Sequence, residues 1–137
     1  MNPELQTRVN GQPVILLAED DRLVRNLIQA VLGQEDYTVL SAEDGVDALE
    51  KSRNYPGEIQ LLLSDIKMPR MDGLELSQHV MKQRPGIKVL LMSGKLSGEA
   101  LVNPGASNFL RKPFMAQTLR SMVKTLLCGG AIPAGSS

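Results

Sequence analysis

Polar residues capable of chemistry stand where four apolar runs of this 137-residue chain come to an end: Glu19 and Asp20, then Asp65, then Ser93, then Lys112. If those runs are parallel strands, their ends meet on one edge, and in open parallel α/β sheets ligands bind outside the carboxyl ends of the strands. Three carboxylates brought together repel one another and need a cation. Their hard oxygens suit Mg2+, which takes few protein ligands and keeps several waters. Each residue also has a plain structural use. Glu19 and Asp20 can act as helix-capping charges, Ser93 as a turn hydroxyl, Lys112 as a solvated amine and Asp65 as a cap on the turn that follows it. Taken singly, each structural use suffices; taken jointly, four separate strand ends carrying this set point to a site.

The elements that must position these residues follow from hydrophobic patterning. Residues 14–18 read as a buried strand, and the pairs Leu23/Val24, Leu27/Ile28 and Val31/Leu32 repeat every four residues, the apolar face of a helix ending near Gly33. Asp20 or Asp21 can cap it. A second strand is predicted over 37–41. A helix follows over 44–54 with Val46, Ala48 and Leu49 inward, stopped by Tyr55-Pro56-Gly57. Residues 59–64 form the third strand and deliver Asp65. Met68-Pro69 and Asp72-Gly73 then break the pattern before a helix over 73–84. A fourth strand spans 87–92, a short helix lies around 97–102, a fifth strand spans 106–110, and a last helix carries Leu119, Met122, Val123, Leu126 and Leu127 at three-four spacing. Strands alternating with helices across short loops imply βαβ crossovers and a parallel sheet covered on both faces. Spacing alone leaves the strand order open.

Composition narrows the classes. The length is that of one domain, burying roughly two-thirds of its unfolded surface. Fifteen basic residues balance fifteen acidic ones, and the only aromatics are Tyr37, Tyr55, Phe109 and Phe114, which argues against direct nucleic-acid binding. No run is long enough to span a membrane and the N-terminus lacks a signal-peptide core, so a cytoplasmic protein without membrane insertion is expected. The lone Cys128 excludes an intrachain disulfide and a cysteine zinc site. His79, the single histidine, falls on a polar helix face and reads as a surface residue.

The pieces VILLAEDD, LLLSDIKMPRMDG, VLLMSG and NFLRKPF, in that order over about residues 14–127, resemble a response-regulator receiver domain of two-component signalling. The resemblance implies a flavodoxin-like doubly wound five-stranded parallel sheet, order 2-1-3-4-5, with helices on both faces. It implies a receiver domain over 13–128, between a flexible 1–12 segment and a flexible 129–137 tail. Asp65 matches the phosphoacceptor, taking a phosphoryl group from a histidine kinase or a histidine phosphotransfer protein. Glu19, Asp20, Asp65 and the backbone carbonyl of Lys67 match the Mg2+ site, Lys112 the phosphoryl-pairing lysine, Ser93 the responding hydroxyl, and Ser93 with Phe109 the switch pair. Such a module carries self-phosphorylation and autodephosphorylation chemistry rather than acting as a dedicated metabolic enzyme, and it leaves room for a weak dimer.

The chain departs from the family pattern in places. The Ser93 to Lys112 interval is short and contains Gly98, Pro104 and Gly105, so the fourth helix is expected to be short and the surface there remodelled. Phe109 replaces the commoner tyrosine, which removes a hydroxyl. Lys67 and Lys95 occupy positions that in similar proteins line the path of hydrolytic water. The MSG and FLRKPF pieces resemble hybrid-kinase receivers in particular. Two alternatives stand beside the main reading: a pseudo-receiver scaffold that is never phosphorylated, and a Mg2+-dependent aspartyl phosphohydrolase. The second generally wants another acid two residues after its nucleophile, where this chain has Lys67. A flavin carrier is disfavoured by the acids after the first strand.

Overall fold

The computed structural model describes residues 11–94 and 108–128. The predicted helix around 97–102, Lys95, residues 1–10 and the 129–137 tail lie outside the described residues. Five parallel strands, β1 (Val14–Ala18), β2 (Thr38–Ala42), β3 (Leu61–Asp65), β4 (Lys88–Ser93) and β5 (Asn108–Arg111), form one sheet in the order β2-β1-β3-β4-β5. Four helices among the described residues accompany them: α1 (Arg22–Gly33), α2 (Gly45–Asn54), α3 (Gly73–Gln83) and α4 (Ala116–Leu127). The fold class is the one expected, and the strand order is the 2-1-3-4-5 that the resemblance implied.

The near-continuous apolar strands follow from having helices on both faces. Successive side chains of a strand point to opposite faces, and each run feeds two cores. Val14, Leu16 and Ala18 with Leu62, Val89 and Leu91 pack beneath Ala48 of α2 and Leu76 and Val80 of α3. Ile15 and Leu17 with Leu61, Leu63, Leu90 and Met92 pack beneath Ile28 and Leu32 of α1 and Leu119, Val123 and Leu126 of α4. A fully buried leucine of this kind contributes about 1.5–3 kcal/mol. The central strands β1 and β3 therefore anchor everything attached to their ends.

Three details correct the pattern-based expectation. In α1 the buried positions are Ile28, Val31 and Leu32, while Leu23 is 80% and Leu27 58% exposed. The four-residue repeat is broader than the strip the sheet covers. In α2, Ala48 and Leu49 face the core as expected, but Val46 is exposed and Gly45 and Ser52 are buried in its place. The second strand starts at Thr38 instead of 37, where the Thr38 N–H donates to the Pro13 carbonyl at 2.9 Å.

Candidate functional site

At the carboxyl edge of β1 the chain turns through Glu19-Asp20-Asp21 into α1. Asp21 is the helix cap, its Oδ1 accepting from the N–H groups of Leu23 (2.9 Å) and Val24 (3.2 Å). That frees Glu19 and Asp20 for the site. Glu19 is fully buried; its Oε2 accepts from the Asp21 N–H at 3.0 Å and its carbonyl oxygen from Arg25 Nη1 at 2.8 Å. Asp20 is exposed.

Asp65 is the last residue of β3, opposite Met92 in the register. Its backbone is held on two sides. The Ser64 hydroxyl donates to the Asp65 carbonyl at 2.9 Å, and Gly73, at the start of α3, lies so close that a Cβ there would run into the same carbonyl oxygen. The loop between them is closed by the Ile66 N–H on the Met92 carbonyl (2.9 Å) and the Gly73 N–H on the Ile66 carbonyl (2.7 Å). Lys112 follows β5, its N–H donating to the Ser93 carbonyl at 2.8 Å, and the Lys112–Pro113 peptide is cis.

These elements bring the expected residues together. Lys112 Nζ lies 2.7 Å from Glu19 Oε1 and 3.3 Å from Asp65 Oδ2. One carboxylate oxygen from each of Glu19, Asp20 and Asp65 lies within 4.8 Å of the others. Asp65, Lys67, Ser93, Gly94 and Lys112 line an open cleft of about 330 Å3 beside them. Ser93, at the end of β4, shares a sheet face with Leu91, whose register partner is Phe109. Phe109 itself packs on the α2/α3 core, outside the residues lining the cleft. His79 is exposed with Nε2 3.8 Å from Glu75, and Cys128 is exposed at the end of α4. Both stand apart from the site, as expected for surface residues.

The electrostatics are those of a partly desolvated charge cluster. Burial pushes the Glu19 carboxyl above its usual range, against the opposing hydrogen bond from Lys112, and the Asp65 charge adds to the rise. Burial raises Asp65 as well, Lys112 opposing and Asp20 reinforcing. Burial alone would lower Lys112, yet the hydrogen bond to Glu19 and the nearby Asp65 outweigh it and hold the amine above its ordinary value. One ammonium facing three acids leaves negative charge uncompensated, and hard oxygens clustered at this spacing suit a small divalent cation. Mg–O distances of about 2.1 Å allow Glu19, Asp20 and Asp65 to share one ion, directly or through its waters.

Residue patterning missed several contributors. Arg25 and Ser64 hold the backbone of Glu19 and Asp65 by hydrogen bonds that no apolar pattern marks, and Gly73 was legible as a break but not as the close neighbour of the Asp65 carbonyl. The pair of Arg70 with Asp44 joins loops 26 residues apart.

A parallel 2-1-3-4-5 sheet with acids, a hydroxyl and a lysine at its carboxyl edge defines a CheY-like doubly wound domain. The family model for the response regulator receiver domain matches residues 15–124, and the chain belongs to that family. It is 36% identical over 127 residues to the sensor kinase CckA of Brucella abortus, covering 90% of this chain and 13% of that protein. A solved receiver domain from the hybrid histidine kinase CckA superposes with TM-score 0.72 at 34% identity, over 83% of this chain and 98% of that one. A CheY-like receiver domain protein of Methanospirillum hungatei JF-1 gives TM-score 0.79 at 32% identity, over 86% and 95%. The chain spans about half the length of curated response regulators such as MprA of Mycobacterium leprae. No helix among the described residues is long and apolar enough to cross a membrane.

Proposed function

We propose that this receiver domain is phosphorylated on Asp65 by a histidine kinase or histidine phosphotransfer protein, in the cytoplasm, with Mg2+ held by Glu19, Asp20, Asp65 and the Lys67 carbonyl. The observation that carries the reading is the Lys112 ammonium lying between Glu19 and Asp65, with the three acids grouped around it. A bare carboxylate attacks a phosphoryl group poorly because like charges approach. Lys112 supplies positive charge to the incoming phosphoryl oxygens, and a divalent cation held by Glu19, Asp20, Asp65 and the Lys67 carbonyl would supply more. An Asp65 carboxylate oxygen forms the new bond to phosphorus while the bond from phosphorus to the donor imidazole nitrogen breaks, its electron pair leaving with the imidazole.

The product carries about −1.5 to −2 charges and additional acceptor oxygens at one point. The Ser93 hydroxyl is the group placed to bind them, and Phe109, on the same sheet face, is the side chain that rotates when the Ser93 loop moves inward. The output is a surface change read by a partner. Full inversion of a 1:99 population needs about 5.5 kcal/mol of differential interaction. The hybrid-kinase relative supports a phosphorelay setting for this chain.

The test compares wild type with Asp65→Asn by amide chemical shifts on adding Mg2+ and beryllofluoride. Wild type is expected to shift around Ser93, Phe109 and Lys112 and the variant to stay silent. Identical spectra with and without the additive would favour the pseudo-receiver scaffold, whereas sustained release of phosphate from phosphomonoesters without a lasting adduct would favour the phosphohydrolase.

A further inference from the structure

Resting on the receiver chemistry proposed above, we propose that Arg70 and Asp44 form a strap that holds the β3–α3 loop in the geometry the cation site requires. Arg70 is then a positioning residue, acting through the loop on the Lys67 carbonyl.

The loop, residues 66–72, is tied at its base by the Ile66 and Gly73 amides and contains a tight turn, with the Met71 N–H on the Pro69 carbonyl at 2.8 Å. At its tip Arg70 has φ 71°, in the left-handed region that a residue with a Cβ enters only against steric cost. A contact from outside the loop offsets that cost. The guanidinium Nη2 of Arg70 donates to Oδ2 of Asp44, a buried carboxylate in the β2–α2 turn. Asp44 is rigidly placed for that task, because its other oxygen, Oδ1, accepts from the Asp47 N–H at 2.8 Å and caps α2. The next residue, Gly45, makes the second point of contact: a Cβ there would stand 2.6 Å from the Met71 carbonyl oxygen. Adjacent residues of one turn thus grip adjacent residues of the other.

Lys67 lies three residues before Arg70 in the same loop, lines the cleft with Asp65 and Ser93, and has its side chain in solvent. Its carbonyl can serve a cation only if the loop holds still. Between the ties at Ile66 and Gly73, Met68 and Met71 pack against the α2/α3 core, and the Arg70–Asp44 pair is the polar tie at the loop's tip. Asp44 is buried and keeps its capping amides without Arg70, while the guanidinium is largely in solvent, so the pair itself contributes little to stability. Its effect here is expected in cation affinity instead, as with outer partners that orient metal ligands.

The experiment is a calorimetric Mg2+ titration of the full chain and of Arg70→Ala, Arg70→Lys and Asp44→Asn, with metal-free thermal melts alongside. Phosphorylation by acetyl phosphate is then followed against Mg2+ concentration. Arg70→Ala is expected to weaken Mg2+ binding about tenfold, the low end for losing an outer partner of a metal ligand, with its metal-free melt little changed. Its phosphorylation rate recovers at saturating Mg2+. Arg70→Lys restores most of the affinity, and Asp44→Asn, which keeps the capping oxygen, shares part of the loss. Wild-type binding with unchanged affinity in Arg70→Ala would overturn the strap alone, as would a rate deficit that persists at saturating Mg2+. Absence of Mg2+ binding by wild type would overturn the receiver reading and the strap with it.

Discussion

Asp44 and Glu19 are both buried carboxylates, and their surroundings drive them in opposite directions. For Asp44, burial raises the pKa, but the hydrogen bond from Arg70 and the amide bonds that cap α2 outweigh it and hold the group below the ordinary 3.8. A carboxyl depressed in the folded state contributes stability that is present above its ordinary value and lost as pH falls through the folded value. Asp44→Asn keeps the cap oxygen and loses the charge. Its urea midpoint is expected to lie below that of wild type at neutral pH, with the gap closing as pH falls below about 4. A gap of constant size across that range would show that the charge of Asp44 does not matter. Burial moves Glu19 and Asp65 the other way, above their ordinary values. Carboxyls perturbed in this way gather at functional sites.

The junction of β3 with α3 shows what an element contributes beyond its own residues. Gly73 opens α3 directly over the Asp65 carbonyl, so a methyl group there must displace either the helix start or the backbone of Asp65. Gly73→Ala is expected to destabilise the fold by about 1–3 kcal/mol, as overpacking does, and to slow phosphorylation. An alanine variant with wild-type stability and rate would mean that the junction relaxes freely. This contact also marks the limit of what patterning could reveal. The strands were legible because burial on both faces leaves an unbroken apolar run, and the acids stood out because they ended those runs. Asp72-Gly73 was legible as a break, but its reason, a backbone approach from the preceding strand, is tertiary. The same holds for Leu23 and Leu27, exposed although they sit on the apolar side of α1. Periodicity locates the stripe, and only the sheet decides how much of it is covered. Arg70 gave no local sign of its partner, 26 residues away in the β2–α2 turn.

At the scale of the whole molecule, the sheet stores charge repulsion at one edge and leaves it for ligands to relieve. Strands β1, β3, β4 and β5 each end at one part of the cluster. A ligand that binds only the folded state stabilises it by mass action. At a hundredfold excess over its dissociation constant, Mg2+ is expected to add about 2.7 kcal/mol and raise the melting temperature by several degrees. Asp65→Asn should lose much of that gain, and an equal shift in both proteins would place the cation elsewhere. The most direct test of the central claim is the intact mass of the chain after incubation with acetyl phosphate and Mg2+. The account requires wild type to gain one phosphoryl group, lost on chelating the metal beforehand and absent from Asp65→Asn. A wild-type mass that stays unmodified, or an Asp65→Asn protein modified to the same extent, would contradict it.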